Sequence, residues 1–185
     1  MVTIDDYRKA VEYFAINKRN FNINNEGDEY AKVIFTNIFA NAKKTVRIAA
    51  NTLRNTVVDS PEYQDALDQF LFRQDSQLYI IISHLPETAR EDVAWNIYRR
   101  LRRNPAYEAG RIHIKNAEST LFTMDGKPAN FCVADGLMYR IEDNIEKRTA
   151  LCNFGDSSKA VKLEEVFDRG YANIKTELDL SQLFA

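Results

Sequence analysis

The sequence predicts a single α/β domain built on a mixed sheet, and three observations predict it. Up to about Arg103 the chain alternates helical and strand-like apolar patterns, the order of a mostly parallel sheet packed against helices. After Gly110 it changes to short strands separated by Asp-Gly pairs, the mark of a hairpin meander. The length of 185 residues, 45% apolar and 28% charged, is that of one ordinary globular domain, able to bury roughly 70% of the surface its unfolded form exposes.

Each element has its own signal. Ile4, Tyr7, Val11 and Phe14 recur at helical spacing over Thr3 to Asn17, and the Asn-rich stretch from Asn17 to Asp28 reads as a polar loop. These first residues, 1–28, are set apart as an N-terminal helix and loop, with 29–185 as the main domain and its apolar tail. Tyr30, Ala31, Ile34, Phe35, Ile38, Phe39 and Ala42 give the wide stripe of a helix laid on a sheet. Val46, Ile48 and Ala50 alternate with Arg47 and Ala49, a strand. Ser60 and Pro61 start a helix carrying Tyr63, Ala66, Leu67, Phe70 and Leu71. Leu78 to Ser83 is a strand buried on both faces. Thr88 and Glu91 match a capping box for a helix ending near Arg103. Strands are then expected at Arg111–Lys115, Thr120–Met124, Asn130–Ala134, Leu137–Glu142 and Thr149–Phe154, followed by a helix from about Lys159 to Lys175. Leu178, Leu180, Leu183 and Phe184 make the tail apolar enough to pack on a core or on a partner.

Composition excludes several classes. The net charge of −2 advertises no polyanionic partner, so any nucleic-acid binding must come from a local patch. No apolar run approaches the ~20 residues that span a bilayer. The acidic start Asp5-Asp6 lacks the basic and then apolar pattern of a secretory signal, so a cytoplasmic location is expected. Cys132 and Cys152 sit in strand-like segments and read as reduced core thiols. With these cysteines and only His84 and His113, neither a metal site nor a cofactor is expected. No phosphate-cradling Gly-rich loop, Gly-x-Ser-x-Gly elbow or His-Glu-x-x-His is present.

The order of a helix leading into "NAKKTVRIAANTL", a helix, "SQLYIIIS", a helix, a hairpin around "NFCVADGLMYRIE" and a closing helix "KAVKLEEVFDRGYANI" resembles one phospholipase D-like domain over residues 29–175. The resemblance implies a mixed sheet with flanking helices and a C-terminal meander, and a fold whose single units usually pair as homodimers. Active members carry His-x-Lys-x4-Asp-x6-Gly-Ser-x2-Asn. There the His attacks phosphorus, the Lys and Asn hold phosphoryl oxygens, and a second His acts as acid. Setting the Asp on Asp135 puts Pro128 at the His position and Asn130 at the Lys position. Glu142 and Asp143 replace Gly-Ser, and Glu146 replaces the Asn. Of the motif only Asp135 remains, and three carboxylates stand where a phosphodiester must be neutralised.

The one His-x-Lys pair, His113 and Lys115, shares a strand face with Arg111 and has Thr120 where the motif's Asp would fall. An unusual active site could use it with Glu118, Asp125 or Asp135 as orienting acid. Otherwise these side chains lie on a solvated strand face. Arg99, Arg102 and Arg103 lie on one helical face with Arg111 nearby in sequence; they could hold phosphates, or they could complement the helix dipole and stay solvated. Arg140 and Glu142, two apart on one strand, read as a structural ion pair. Three readings follow. One is a degenerate phospholipase D-like module that binds nucleic acid or a protein partner in a regulatory or accessory role. The second is a small homodimeric phosphodiesterase or nuclease using His113 and Lys115. The third is an interaction domain on an unrelated α/β fold.

Overall fold

A computed structural model describes residues 3–53 and 55–185. Strands β2 (Thr45–Ala50), β3 (Gln77–Ile82) and β4 (Ile112–Asn116) run parallel, joined by helices as the early alternation requires. The meander β7 (Asn130–Ala134), β8 (Met138–Asn144) and β9 (Thr149–Asn153) adds to the other side of β2, antiparallel throughout. The short strand β1 (Ile23–Asn25) completes the sheet against β9. The order is β1-β9-β8-β7-β2-β3-β4, a mixed seven-stranded sheet in an α/β domain.

Helices α1 (Ile4–Ile16), α2 (Asp28–Asn41), α3 (Pro61–Leu71), α4 (Asn96–Arg103), α5 (Pro105–Glu108) and α7 (Leu180–Leu183) share one apolar core with the sheet face that carries Val46, Ile48, Leu78, Ile80 and Cys132. Helix α6 (Ser157–Asn173) covers the opposite face, on Ala49, Ile81, Phe131, Val133 and Tyr139. Both faces of the central strands are dry, which is why Leu78 to Ser83 reads as an unbroken apolar run. Trp95, Tyr63, Phe39 and Phe167 are fully buried, each contributing about 1.5–3 kcal/mol of burial.

Local structure departs from the sequence expectation in three places. The Asn-rich stretch contains β1, because Ile23 and Asn25 face inward while Asn24 faces out. The helix expected from a Thr88/Glu91 box starts later: Asp92 caps a short 3-10 turn, Val93–Trp95, by accepting from the Ala94 amide, and α4 begins at Asn96. Within the expected strand Thr120–Met124 only β5 (Thr123–Met124) forms, paired with β6 (Lys127–Pro128) in a ribbon outside the main sheet. The tail packs on this chain's own core: Leu180 is fully buried, with Leu178, Leu183 and Phe184 against it. Of the two places open to the tail, the chain's own core takes it, and Leu178, Leu183 and Phe184 stay partly exposed.

Turn chemistry is as the Asp-Gly pairs imply. Asp125-Gly126 and Asp135-Gly136 all have positive φ, 50°, 75°, 53° and 58°, the twist that lets two strands reverse over a short loop.

The helix-facing core also holds a charged pair. Arg140 on β8 is 3% exposed and Glu142 is 2% exposed, with 3.2 Å between Nη2 and Oε1. Cys132 and Cys152 flank Arg140 across the sheet, and the guanidinium lies 5.2 Å from the centre of the Phe35 ring. Truncating one partner leaves an unpaired buried charge. We predict that Glu142→Leu destabilises by about 3–5 kcal/mol, and that Arg140→Met added to it recovers most of the loss; denaturant unfolding of the two variants measures this.

Both thiols are free and buried, and burial pushes each up to about 12, with Arg140 pulling weakly the other way. The folded chain keeps these protons while the unfolded chain releases them near pH 9. Their contribution is whole below about pH 9 and is lost as pH rises towards 12. Neither thiol is expected to react with a disulfide reagent at pH 8 until denaturant is added, and unfolding free energy should fall less steeply above pH 9 when both are replaced by Ala.

Candidate functional site

Asp135 stands at the β7–β8 turn, where the left-handed backbone aims its carboxylate at the connection between α2 and β2. It accepts from the Lys43, Lys44 and Thr45 amides at 2.6, 3.0 and 2.8 Å, while its own amide donates to the Thr45 carbonyl at 3.1 Å. These amides follow the last turn of α2, so Asp135 fixes where the helix stops and the strand starts. Its carboxylate is occupied by backbone.

The positions aligned with the remaining motif are placed as follows. Pro128 is exposed on β6, outside the sheet. Asn130 begins β7 and faces Glu142 on β8; its Nδ2 donates to Glu142 Oε2 at 2.8 Å and its Oδ1 accepts from the Asn51 amide at 2.8 Å. The side chain of Asp143 lies outside the described residues, and Glu146 is exposed in the β8–β9 turn. Arg148 places Nη1 3.7 Å from Glu142 and Nε 2.6 Å from Asp28 at the start of α2, and Asp28 also accepts from the Thr56 hydroxyl. Two cations and two carboxylates thus balance around a cavity of about 40 Å³, walled by Phe35, Tyr63 and Phe131. Arg140 Nε is buried there without a hydrogen-bond partner among the described residues, as is Asn25 Oδ1 two strands away on β1. The arrangement has no nucleophile at the family's His position and offers a phosphodiester no net positive charge.

Strand β4 lies at the other edge of the sheet, but its second face is covered. Lys115 Nζ donates to the Tyr171 and Ile174 carbonyls at 3.0 and 2.7 Å, closing the end of α6, and lies 4.1 Å from the Tyr171 ring centre. His113 stacks on Tyr79 at 4.8 Å, and its Nδ1 is 2.8 Å from Glu177 Oε1. This corrects the expectation of a solvated strand face. The acid beside His113 is Glu177, from the segment after α6, rather than Glu118, Asp125 or Asp135. Sequence reasoning missed it because 64 residues separate the two. Lys115, being used on backbone carbonyls, does not share the pair.

The arginines divide. Arg111 points into the end of α3 and donates to the Leu71, Arg73 and Ser76 carbonyls at 3.0, 2.9 and 3.2 Å, so it does not join the helical face. Alternation along β4 suggested a shared surface, but orphan carbonyls drew the side chain inward. Arg99 binds the Arg90 and Asp92 carbonyls and Asn96 Oδ1. Arg100 pairs with Asp65 and Asp68. Arg102 lies over Tyr107, 5.5 Å from its centre, and 3.8 Å from Glu108. Arg103 is exposed, with no ion pair among the described residues. Arg99, Arg102 and Arg103 nevertheless border one cleft of about 560 Å³ with Arg90, which sits 3.9 Å above the Trp95 ring. Arg90 escaped sequence reasoning because it belongs to the loop before α4. His84 is exposed just beyond β3.

Among the described residues no group of three or more His, Cys, Asp or Glu is placed to hold a metal ion, and no helix is long and apolar enough to cross a membrane.

No family model matches the chain, and comparison with the curated proteins gives no match. Solved structures do match. The chain is similar to TrmBL2, an archaeal chromatin protein whose structure shows a novel mode of DNA binding, at 10% identity and a TM-score of 0.54, over 92% of this chain and 61% of that one. It is similar to the phosphatidylserine synthase of Haemophilus influenzae Rd KW20, a phospholipase D superfamily member, at 11% identity and a TM-score of 0.59, over 89% of this chain and 41% of that one. The chain therefore spans less than two thirds of either, and at these identities the likeness is one of fold.

Proposed function

We propose that this chain is a phospholipase D-like module without phosphodiesterase chemistry, which binds nucleic acid through the arginine-lined cleft beside α4 in a regulatory or accessory role. The observation that carries the reading is the bond between half-buried Asn130 and buried Glu142: where the family holds a phosphoryl group, this chain holds a carboxylate bonded to an amide. A phosphodiester brought there meets no net positive charge and no imidazole, and acid–base participation alone is worth ~10²–10⁴ in rate. The cleft offers what the old site lacks. Arg90, Arg102 and Arg103 border it, and Arg99 is held in place by two carbonyls. Guanidinium groups on one helical face suit the repeating phosphates of a nucleic-acid backbone. Likeness of fold to a DNA-binding chromatin protein is compatible with this.

The second reading keeps His113 as nucleophile or base, oriented by Glu177 at 2.8 Å. It requires a phosphate clamp other than Lys115, and the two-fold pairing implied by the family resemblance would have to supply it.

Binding of a fluorescent oligonucleotide should fall by about tenfold or more as salt rises from 50 to 200 mM, with slight sequence preference. Arg99→Ala, Arg102→Ala and Arg103→Ala together should weaken it without changing the response of the protein to a chromogenic phosphodiester, which is expected to be nil with or without divalent metal. Turnover lost on His113→Ala would establish the second reading. Turnover lost on Asp135→Ala alone, or nucleic-acid binding indifferent to the triple substitution, would overturn the first.

A further inference from the structure

We propose that a second surface, the cleft between the ends of α1 and α2 and the β7–β8 turn, docks an acidic segment of a protein partner that carries an apolar side chain beside its carboxylates. The cleft holds about 400 Å³, with Ala15, Leu137 and Met138 among its apolar walls and Lys18, Lys43 and Lys44 on its rim. All three lysines are exposed, and none is in an ion pair among the described residues. The carboxylates within the cleft are already engaged. Asp135 accepts from three backbone amides, while Glu164 pairs with Arg47 at 2.9 Å and accepts from the Gly136 amide at 2.9 Å. Arg47 also reaches Asp168 at 2.9 Å. Lys18, Lys43, Lys44 and Arg47 thus outnumber Asp135 and Glu164 in the lining, the cleft keeps a net positive charge, and a carboxylate is the group that complements it.

Exposed apolar side chains flank Ala15 and Lys18 in sequence, around the end of α1. Tyr13, Ile16 and Phe21 are 51%, 70% and 56% exposed. Phe21 stacks on Phe14 at 5.0 Å, and Arg19 donates to the Tyr13 hydroxyl at 3.0 Å, so the group is ordered rather than scattered. Exposed aromatic side chains with polar and charged groups around them suit a protein interface, which has an aromatic centre and a polar rim. A nucleic-acid track would instead need charge spread along a groove, whereas here the lysines gather at the rim of one cleft with apolar walls. This inference stands apart from the arginine cleft and does not use it.

The test is an array of short labelled peptides, each with one phenylalanine or leucine flanked by glutamates at varied spacing, titrated by anisotropy against the full chain. Controls are the same peptides with lysine for glutamate, oligoglutamate, a single-stranded oligonucleotide and phosphatidylserine vesicles. Acidic apolar peptides should bind, and the lysine versions and oligoglutamate should not. Lys18→Glu, Lys43→Glu and Lys44→Glu together should lower affinity about tenfold or more, Ile16→Ser should lower it too, and the alanine variant of Arg99, Arg102 and Arg103 should leave it unchanged. If charge reversal lowers the melting temperature, the corresponding glutamine variant at moderate salt serves in its place. No binding by any acidic peptide, binding indifferent to the lysines, or lysine-dependent binding of the oligonucleotide or vesicles instead would overturn the proposal.

Discussion

The architecture depends on how helix ends are closed against a sheet. Each helix leaves its last carbonyls without partners, and where an end is buried something must donate to them. This chain uses long cations from elsewhere in the sequence. Arg73, just past α3, donates to Phe39, Ala40 and Ala42 at the end of α2. Arg111, at the start of β4, does the same for α3, and Lys115, further along β4, for α6. Each bond couples one element to another far from it in sequence and also complements the negative end of the helix dipole. Asp135 is the counterpart of opposite sign, receiving the amides that follow α2.

That constraint decides which charges remain for binding. Arg111 and Lys115 are withdrawn into backbone contacts, and His113 is left paired with Glu177 and stacked on Tyr79. Of the arginines of α4, Arg99 is drawn to the Arg90 and Asp92 carbonyls and Arg100 to Asp65 and Asp68, which leaves Arg102 and Arg103 as the more available charges. Lys18, Lys43 and Lys44 form no ion pair among the described residues, and the two carboxylates of their cleft are engaged, Asp135 by amides and Glu164 by Arg47.

The Arg140–Glu142 pair has a different logic. Two buried charges gain little net stability over apolar residues of similar shape, but removing either alone is costly. With Asn130 on one side and Arg148 and Asp28 on the other, the pair forms a neutral polar island at the end of β2 that ties the meander to the start of α2. It occupies the place where the resemblance would put a phosphoryl group.

Periodicity made the α/β class, the parallel half and the meander legible in the sequence, because burial on one face or on both writes itself into apolar spacing. The Asp-Gly turns were legible for the same local reason: few residue pairs tolerate two positive φ values in succession. The Arg140–Glu142 pair followed from strand alternation once the hairpin was assigned, whereas Asn130 facing Glu142 came from the register of β7 and β8. Tertiary structure alone decided the rest. Strand β1 has too few residues to show a period. The delayed start of α4 turned on Asp92 capping ahead of Thr88. Glu177 beside His113, Arg90 beside the α4 arginines, and the lysine rim all bring together residues distant in sequence. What a charged side chain is free to do depends on which orphan carbonyls, amides and counter-charges the fold brings to it, and sequence spacing does not encode those distances.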